Sequence, residues 1–379
     1  MTLSQQQFLE LLRSGLWGHN ADAELFKSSV DWKEILEIAR QQTVLVIVAD
    51  GIETLPKELW PSKEMITKLT MVRVKTLQMH NRMNMTINQI VSALNKEGIP
   101  SVLLKGQGVA QNYRKPESRS CGDIDLYVGE DNYERACEVV RRTCNISEIH
   151  ECGNQMQFNI SNIEVEIHKR ITNHVSQTEV EELEKVIALS LSHIEKTYWN
   201  NSGASIRILD KTTNAFYIFY HIINHFTSEG IGLRQVCDFI LMLQKSEYEI
   251  NWPKVHLHLK SFKLLEIWQV VLDMGHIYLG LSLATHHCNI SLKNHTKAYF
   301  LLKHIFLTGN FGKYSKHIRN YNNLSYINRR WSNFIFKIKY LSNIIRISPF
   351  YIFSHTYKWL SNAMKRLIID LINVHPNTN

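Results

Sequence analysis

The chain has 379 residues, 44% of them hydrophobic, with a mean hydropathy of −0.20; this suits two or three domain-sized units with a sizeable core. No run of about 18 apolar residues occurs, and the start, MTLSQQQFLELLRSG, has no basic segment followed by an apolar one, so the sequence predicts no membrane-spanning helix and no secretory leader. Net charge is +8 but uneven: residues 274–379 hold 14 Lys and Arg against Asp370 alone, a balance of +13 that leaves −5 for residues 1–273.

Residues 1–97 read as a helical region. Phe8, Leu9, Leu11 and Leu12 form one apolar stripe, and Trp32, Ile35, Leu36, Ile38 and Ala39 another at helical spacing. Asp31 is placed to cap the second helix, with Glu34 as its capping-box partner. A long helix is expected from Ser62 to Asn95, stopped by Gly98 and Pro100.

The pattern then changes to that of a small mixed sheet, over residues 98–172. Val102-Leu-Leu104 reads as a buried strand halted at Gly106, and Asp123-Ile-Asp-Leu-Tyr-Val128 alternates polar and apolar. Residues 131–142 fit a helix. Gln155–Ile160 and Ile163–His168 alternate again on either side of Ser161-Asn162, a hairpin signal. From about Thr178 the sequence predicts helices throughout, with Thr212–Thr227, Leu233–Lys245, Phe262–Leu281 and Lys297–Leu307 the clearest. The expected fold class is therefore α+β, with helical regions at 1–97 and 173–308 around the sheet and a basic helical region at 309–379.

In a strand, residues i and i+2 share a face. Asp123 and Asp125 thus project together while Ile124 and Leu126 face a core, and Glu164, Glu166 and His168 do the same on a second strand. An Asp-x-Asp pair alone is commonest on a solvated sheet face. A third carboxylate on a neighbouring strand changes that balance, because three carboxylates with open positions are hard ligands suited to Mg²⁺ or Mn²⁺. Two such ions can clamp the attacking and leaving oxygens of a phosphoryl group. Upstream, Lys105-Gly106-Gln107-Gly108 offers a turn where backbone can approach phosphate, and Arg119 and Gly122 lie just before the acidic pair.

The stretch LLKGQGVAQNYRKPESRSCGDIDLYV (103–128), with VEIHKR (165–170) and HIINHFTSEGIGLRQVCDF (221–239), resembles the bacterial uncharacterised nucleotidyltransferases, within the DNA polymerase beta-like nucleotidyltransferase superfamily. The resemblance spans about residues 30–280. It implies a nucleotidyltransferase core with Asp123, Asp125 and Glu166 as catalytic metal ligands for Mg²⁺ or Mn²⁺, and Lys105, Gly106, Gln107, Arg119 and Gly122 around an NTP such as ATP. It also implies transfer of an NMP to an acceptor, in a family often associated with polysaccharide-biosynthesis gene clusters, with His168, Arg234 and Asp238 bordering the acceptor pocket. Three departures stand out: Gln107 follows Gly106 where the superfamily has Ser or Gly, the third acid is Glu166 instead of Asp, and Lys169 replaces an aromatic residue after His168.

Other features have plainer readings. The cysteines, Cys121, Cys137, Cys144, Cys152, Cys237 and Cys288, form no Cys-x-x-Cys pair and read as reduced thiols of a cytoplasmic protein. His221 and His225, at i and i+4, read as packing or hydrogen-bonding residues more readily than as metal ligands. Arg234 and Asp238, also at i and i+4, read first as a helix ion pair. Residues 274–369 contain no Asp or Glu and interleave cations with aromatics, as at Arg329-Arg330-Trp331 and Lys339-Tyr340. Such a surface suits nucleic acid or an anionic membrane, which would make the protein peripheral there; the alternative is an ordinary helical domain with a basic solvated face. Two further functions stay open: a non-catalytic binder that keeps the fold, suggested by Gln107 and Lys169, and an enzyme adding nucleotides to an RNA end, suggested by the basic segment.

Overall fold

The computed structural model describes residues 1–120, 122–171, 181–187, 197–284, 294–314, 326–357 and 360–361. Three helices open the chain: α1 (Leu3–Trp17), α2 (Trp32–Gln41) and α3 (Leu45–Ile52). Asp31 caps α2 by accepting from the Glu34 amide at 3.0 Å. The capping box is only half formed there, since the Glu34 carboxylate accepts from Ser4 Oγ instead. The long helix α4 runs Lys63–Lys96 behind the Ser62 cap.

The sheet has seven strands: β1 (Val102–Leu103), β2 (Ile124–Tyr127), β3 (Ser147–Cys152), β4 (Gln155–Ile160), β5 (Ile163–His168), β6 (Thr197–Asn201) and β7 (Ala204–Ile208). Their spatial order is β3-β4-β5-β2-β1-β7-β6. The sheet is mixed: β2 pairs parallel with β5 and antiparallel with β1, and β1 pairs parallel with β7. The expected hairpin forms as β4–β5, with Ser161 and Asn162 at φ 50° and 63° in its turn. The strands β6 and β7 correct the expectation of helix alone beyond Thr178. They turn at Ser202-Gly203, both with positive φ, which is the two-residue hairpin geometry that follows strand twist.

Two short helices sit within the sheet region, α5 (Gln107–Ala110) and α6 (Tyr133–Thr143). A helical segment α7 covers 181–187. Beyond the sheet come α8 (Lys211–Ser228), α9 (Leu233–Ser246), α10 (Trp252–Ser261), α11 (Leu265–Leu279), α12 (His295–Thr308), α13 (Tyr326–Ile344) and α14 (349–357). The single helix expected over Phe262–Leu281 begins three residues late, because Lys263 takes φ 59° and ends α10.

Two apolar cores hold these layers. In the first, Met83, Ile87, Ile90 and Leu94 of α4 and Val140 of α6 pack on Leu103, Ile124, Leu126, Val165 and Ile167. Each such fully buried side chain contributes about 1.5–3 kcal/mol. The second core joins α1–α3 to α8–α13 and takes Val102, Leu104 and Tyr127 from the other sheet face. Consequently β2 is buried on both faces, not on one as its alternation suggested. The helical body covers the face that carries Asp125.

The basic C-terminal segment contributes to that body. Tyr340, Leu341, Ile344 and Ile352 are buried, and Lys337 Nζ donates to the Thr227 and Ser228 carbonyls at the end of α8. Among the described residues no helix is long and apolar enough to cross a membrane. Cys137, Cys144 and Cys237 are free and buried; Cys121 and Cys288 lie outside the described residues.

Candidate active site

A cleft of about 830 Å³ lies between the covered sheet face and helices α8 and α9. Parallel pairing of β2 with β5 sets Asp125 opposite Glu166 and Tyr127 opposite His168. Both carboxylates therefore point into the cleft from adjacent strands, as the sequence pattern predicted. Ligand atoms of Asp125, Glu166 and His168 lie within 4.8 Å of one another, an arrangement that could hold a metal ion. His168 Nε2 lies 3.0 Å from Asp125 Oδ1 and 3.3 Å from Glu166 Oε2. Asp123 is different: its side chain is 40% exposed against 2% for Asp125, so it stands at the rim of the group.

Lys105 reaches into the cluster. Its Nζ is 3.2 Å from Asp125 Oδ2, 3.9 Å from Asp123 Oδ2 and 3.5 Å from His221 Nε2. The phosphate-facing role expected for Lys105 thus gives way, in this state, to that of an internal counter-ion. Burial favours neutral forms of both partners. The mutual attraction outweighs it, raising Lys105 above the usual lysine range and holding Asp125 well below the carboxylate range, with His168 helping. For His168, burial opposes the proton, but hydrogen bonds to Asp125 and Glu166 prevail and raise its pKa to about 9. Burial, then Lys105, push His221 far below its ordinary value, so it faces the ammonium as a neutral acceptor.

The donor set fits a divalent cation. Asp125 Oδ2 is buried and, despite facing Lys105, receives no hydrogen bond of good geometry among the described residues. Two carboxylates plus one imidazole suit Mn²⁺ or Mg²⁺ among other ions.

Gly106 leads from β1 into α5 with φ 61° and ψ −117°, a conformation that essentially only glycine adopts. A Cβ there would meet the Asp123 carbonyl oxygen at 3.3 Å, so this turn and the acidic strand are built against each other. Gln107 behaves otherwise than expected. Its side chain is buried against α4, within 3.0 Å of His80 Nδ1 and donating to Asn84 Oδ1 at 2.8 Å; only its backbone is left for a phosphate.

Arg119 is likewise committed. It makes a two-pronged contact with Asp238, Nε to Oδ1 at 2.7 Å and Nη2 to Oδ2 at 2.9 Å, and Tyr113 donates to the same carboxylate. Asp238 therefore does not pair with Arg234, its i−4 neighbour, as the plain helical reading had it. Arg234 Nη1 instead donates to the Ser120 carbonyl at 3.0 Å and lies 3.5 Å from the Cβ position of Gly122.

The cleft also takes Tyr217, His221 and His225 from one face of α8, and Gln155, Arg170 and Lys313. Tyr217 and Lys313 went unremarked in the sequence. The four-residue period Tyr217–His221–His225 was the available signal. His221 and His225 stack edge-to-face at 4.4 Å; the metal-capable group among the described residues does not include them.

No curated protein matches the chain. A crystal structure of an antigenic nucleotidyltransferase-like protein from Paracoccidioides brasiliensis is similar over 54% of this chain and 96% of that chain, at 11% identity and a TM-score of 0.34, a likeness too loose to carry an argument. Residues 28–280, which include Gly106 and both acid-bearing strands, match the profile of a family described as uncharacterised nucleotidyltransferase. By that match over most of its length, the chain belongs to the uncharacterised nucleotidyltransferase family.

Proposed function

We propose that the chain is a metal-dependent nucleotidyltransferase that passes an NMP from an NTP to an acceptor hydroxyl or phosphate, with Asp123, Asp125 and Glu166 as its catalytic carboxylates. The observation that carries this reading is the register of β2 on β5, which sets Asp125 opposite Glu166, with Asp123 at the residue just before β2. Mg²⁺ or Mn²⁺ bound there would neutralise phosphate charge and align the reacting oxygens. Asp125 and Glu166 would hold it, His168 would orient or join them, and Asp123 would complete the set from the rim. The Gly106 turn leaves backbone open to the phosphates. Glu166, less enclosed than Asp125, takes the proton of an acceptor hydroxyl as that oxygen bonds to the α-phosphorus. The bond from that phosphorus to the bridging oxygen breaks, and pyrophosphate leaves. Most of the rate enhancement on this reading is positioning and charge neutralisation.

A second reading, a nucleotide binder without chemistry, is favoured by Lys105, which already neutralises Asp125 without a metal. An RNA-end acceptor draws support only from the basic segment, which leaves Lys303, Lys339, Arg346, Phe350 and Phe353 exposed while residues such as Tyr340 and Leu341 pack inward. Labelled NTPs with Mg²⁺ and cell extract separate the three: label on a small molecule or polysaccharide precursor, label on RNA, or no label. Within the first outcome, Asp123→Asn and Asp125→Asn should each cut transfer at least about 100-fold while the protein stays folded. Transfer at the parent rate by either variant sinks the assignment.

A further inference from the structure

Arg234 has the chemistry of a ligand-binding residue with its ligand missing. It is 9% exposed, on α9, and lines the cleft beside the Gly122–Asp123 step. Among the described residues its one side-chain hydrogen bond goes to the Ser120 carbonyl, and its buried Nε has no partner. Among the described residues no carboxylate lies within 4.0 Å of its guanidinium, because the nearby Asp238 is taken on both oxygens by Arg119. Arg119 also reaches the same Ser120 carbonyl, at 3.4 Å, so two guanidinium groups converge there with one carboxylate between them.

A buried guanidinium short of partners is costly, and its planar fork matches phosphate oxygens two at a time. Lys313 lines the same cleft and adds positive charge. The cleft is also lined by Asp125, Glu164 and Glu166, with Lys105 beside Asp125.

We infer that Arg234 is the receptor for a phosphate group of the substrate, held next to the Gly122–Asp123 step. This rests on the nucleotidyl-transfer reading. The phosphate could come from the triphosphate or from a phosphorylated acceptor, and the two sources separate in the same experiment.

The test is calorimetric binding of pyrophosphate, Mg²⁺-ATP and glucose 1-phosphate to the full chain and to Arg234→Met and Arg234→Lys, with Mn²⁺ binding and thermal unfolding alongside. Arg234→Met should weaken at least one phosphate probe about tenfold or more, the loss expected when a charge-assisted hydrogen bond goes. Loss on pyrophosphate and ATP assigns the triphosphate; loss on glucose 1-phosphate assigns the acceptor. Arg234→Lys, which keeps the charge without the fork, should retain only part of the affinity. The ligand-free Arg234→Met protein should melt at or above the parent temperature, since an under-paired buried charge has been removed. A variant that melts lower and binds every probe as the parent does makes Arg234 a structural residue and overturns the inference, as does a parent chain that binds none of the probes. Mn²⁺ binding judges the carboxylate reading separately: Arg234→Met should leave it unchanged, and its absence from the parent would count against the metal centre, not against Arg234.

Discussion

Replacing Lys105 by Met asks whether an ammonium group and a metal ion serve the same carboxylates. With Nζ 3.2 Å from Asp125 Oδ2, the attraction at an effective dielectric of 20 is about 5 kcal/mol. The rim contact to Asp123, at 3.9 Å and with Asp123 40% exposed, adds little after solvent screening. Removing one partner of a buried pair typically costs about 3–5 kcal/mol, because Asp125 is left charged and enclosed or must take up a proton. A divalent ion can replace the lost cation, and saturation at 100 times its dissociation constant adds about 2.7 kcal/mol to any folded protein that binds it. Lys105→Met should therefore lose about 3 kcal/mol in EDTA, read from urea denaturation followed by circular dichroism at pH 7. Added Mn²⁺ should restore more stability to the variant than it adds to the parent, whose Lys105 must first yield its place. Equal stability of the two proteins in EDTA would refute the counter-ion assignment. Equal gain from Mn²⁺ would show that the ion and Lys105 do not share a position.

Asp238→Asn should cost about 3–5 kcal/mol in the same assay, since it leaves Arg119 buried without its two-pronged partner and weakens the Tyr113 contact; a loss under about 1 kcal/mol would mean the pair is not structural. His304 provides a pH test away from the cleft. It is packed against Phe226 and Tyr340, its Nε2 has no partner among the described residues, and burial lowers its pKa from 6.5 to about 4. Between those values the unfolded chain binds a proton that the folded chain refuses, so stability falls as pH drops below 6.5 and the loss is complete near 4. At pH 5 this group accounts for about 2 kcal/mol; His304→Phe should lose that much less than the parent between pH 7 and pH 5, and equal losses would show that His304 titrates normally.

Much of the site was readable because strand periodicity is a two-residue rule. Once Asp125 and Glu164-x-Glu166 lie on strands, their faces follow, and the adjacency of Asp125 to Glu166 needs only that the strands be neighbours; Asp123 falls one residue before β2. The Asp31 cap was legible for a similar local reason. What escaped depends on contacts distant in sequence. Nothing local says that Asp238 prefers Arg119, 119 positions away, to Arg234 one turn away. Nor does the Gly106 turn reveal that Gln107 reaches back to His80 and Asn84 on α4. The β6–β7 hairpin carried a signal, Thr197-Tyr-Trp and Ile206-Arg-Ile around Ser202-Gly203, but in a chain otherwise helical beyond Thr178 it was short enough to be read through. Composition alone did not divide the basic segment into faces: a charge count does not see that Tyr340, Leu341 and Ile344 face inward and that Lys337 caps the end of α8, while Lys339 and Arg346 stay exposed.

On the proposed function, this cleft breaks the bond between the α-phosphorus of an NTP and the oxygen bridging it to the β-phosphate. The most direct measurement incubates the full chain with Mg²⁺, cell extract and ATP, GTP, CTP or UTP labelled either at the α- or at the γ-phosphate. The α-label should appear on an acceptor, the γ-label should leave as pyrophosphate, and Asp125→Asn should abolish both. Transfer of the γ-label to the acceptor would make the chain a phosphoryl-transfer enzyme instead. α-Label transfer undiminished in Asp125→Asn would place the chemistry outside the cluster.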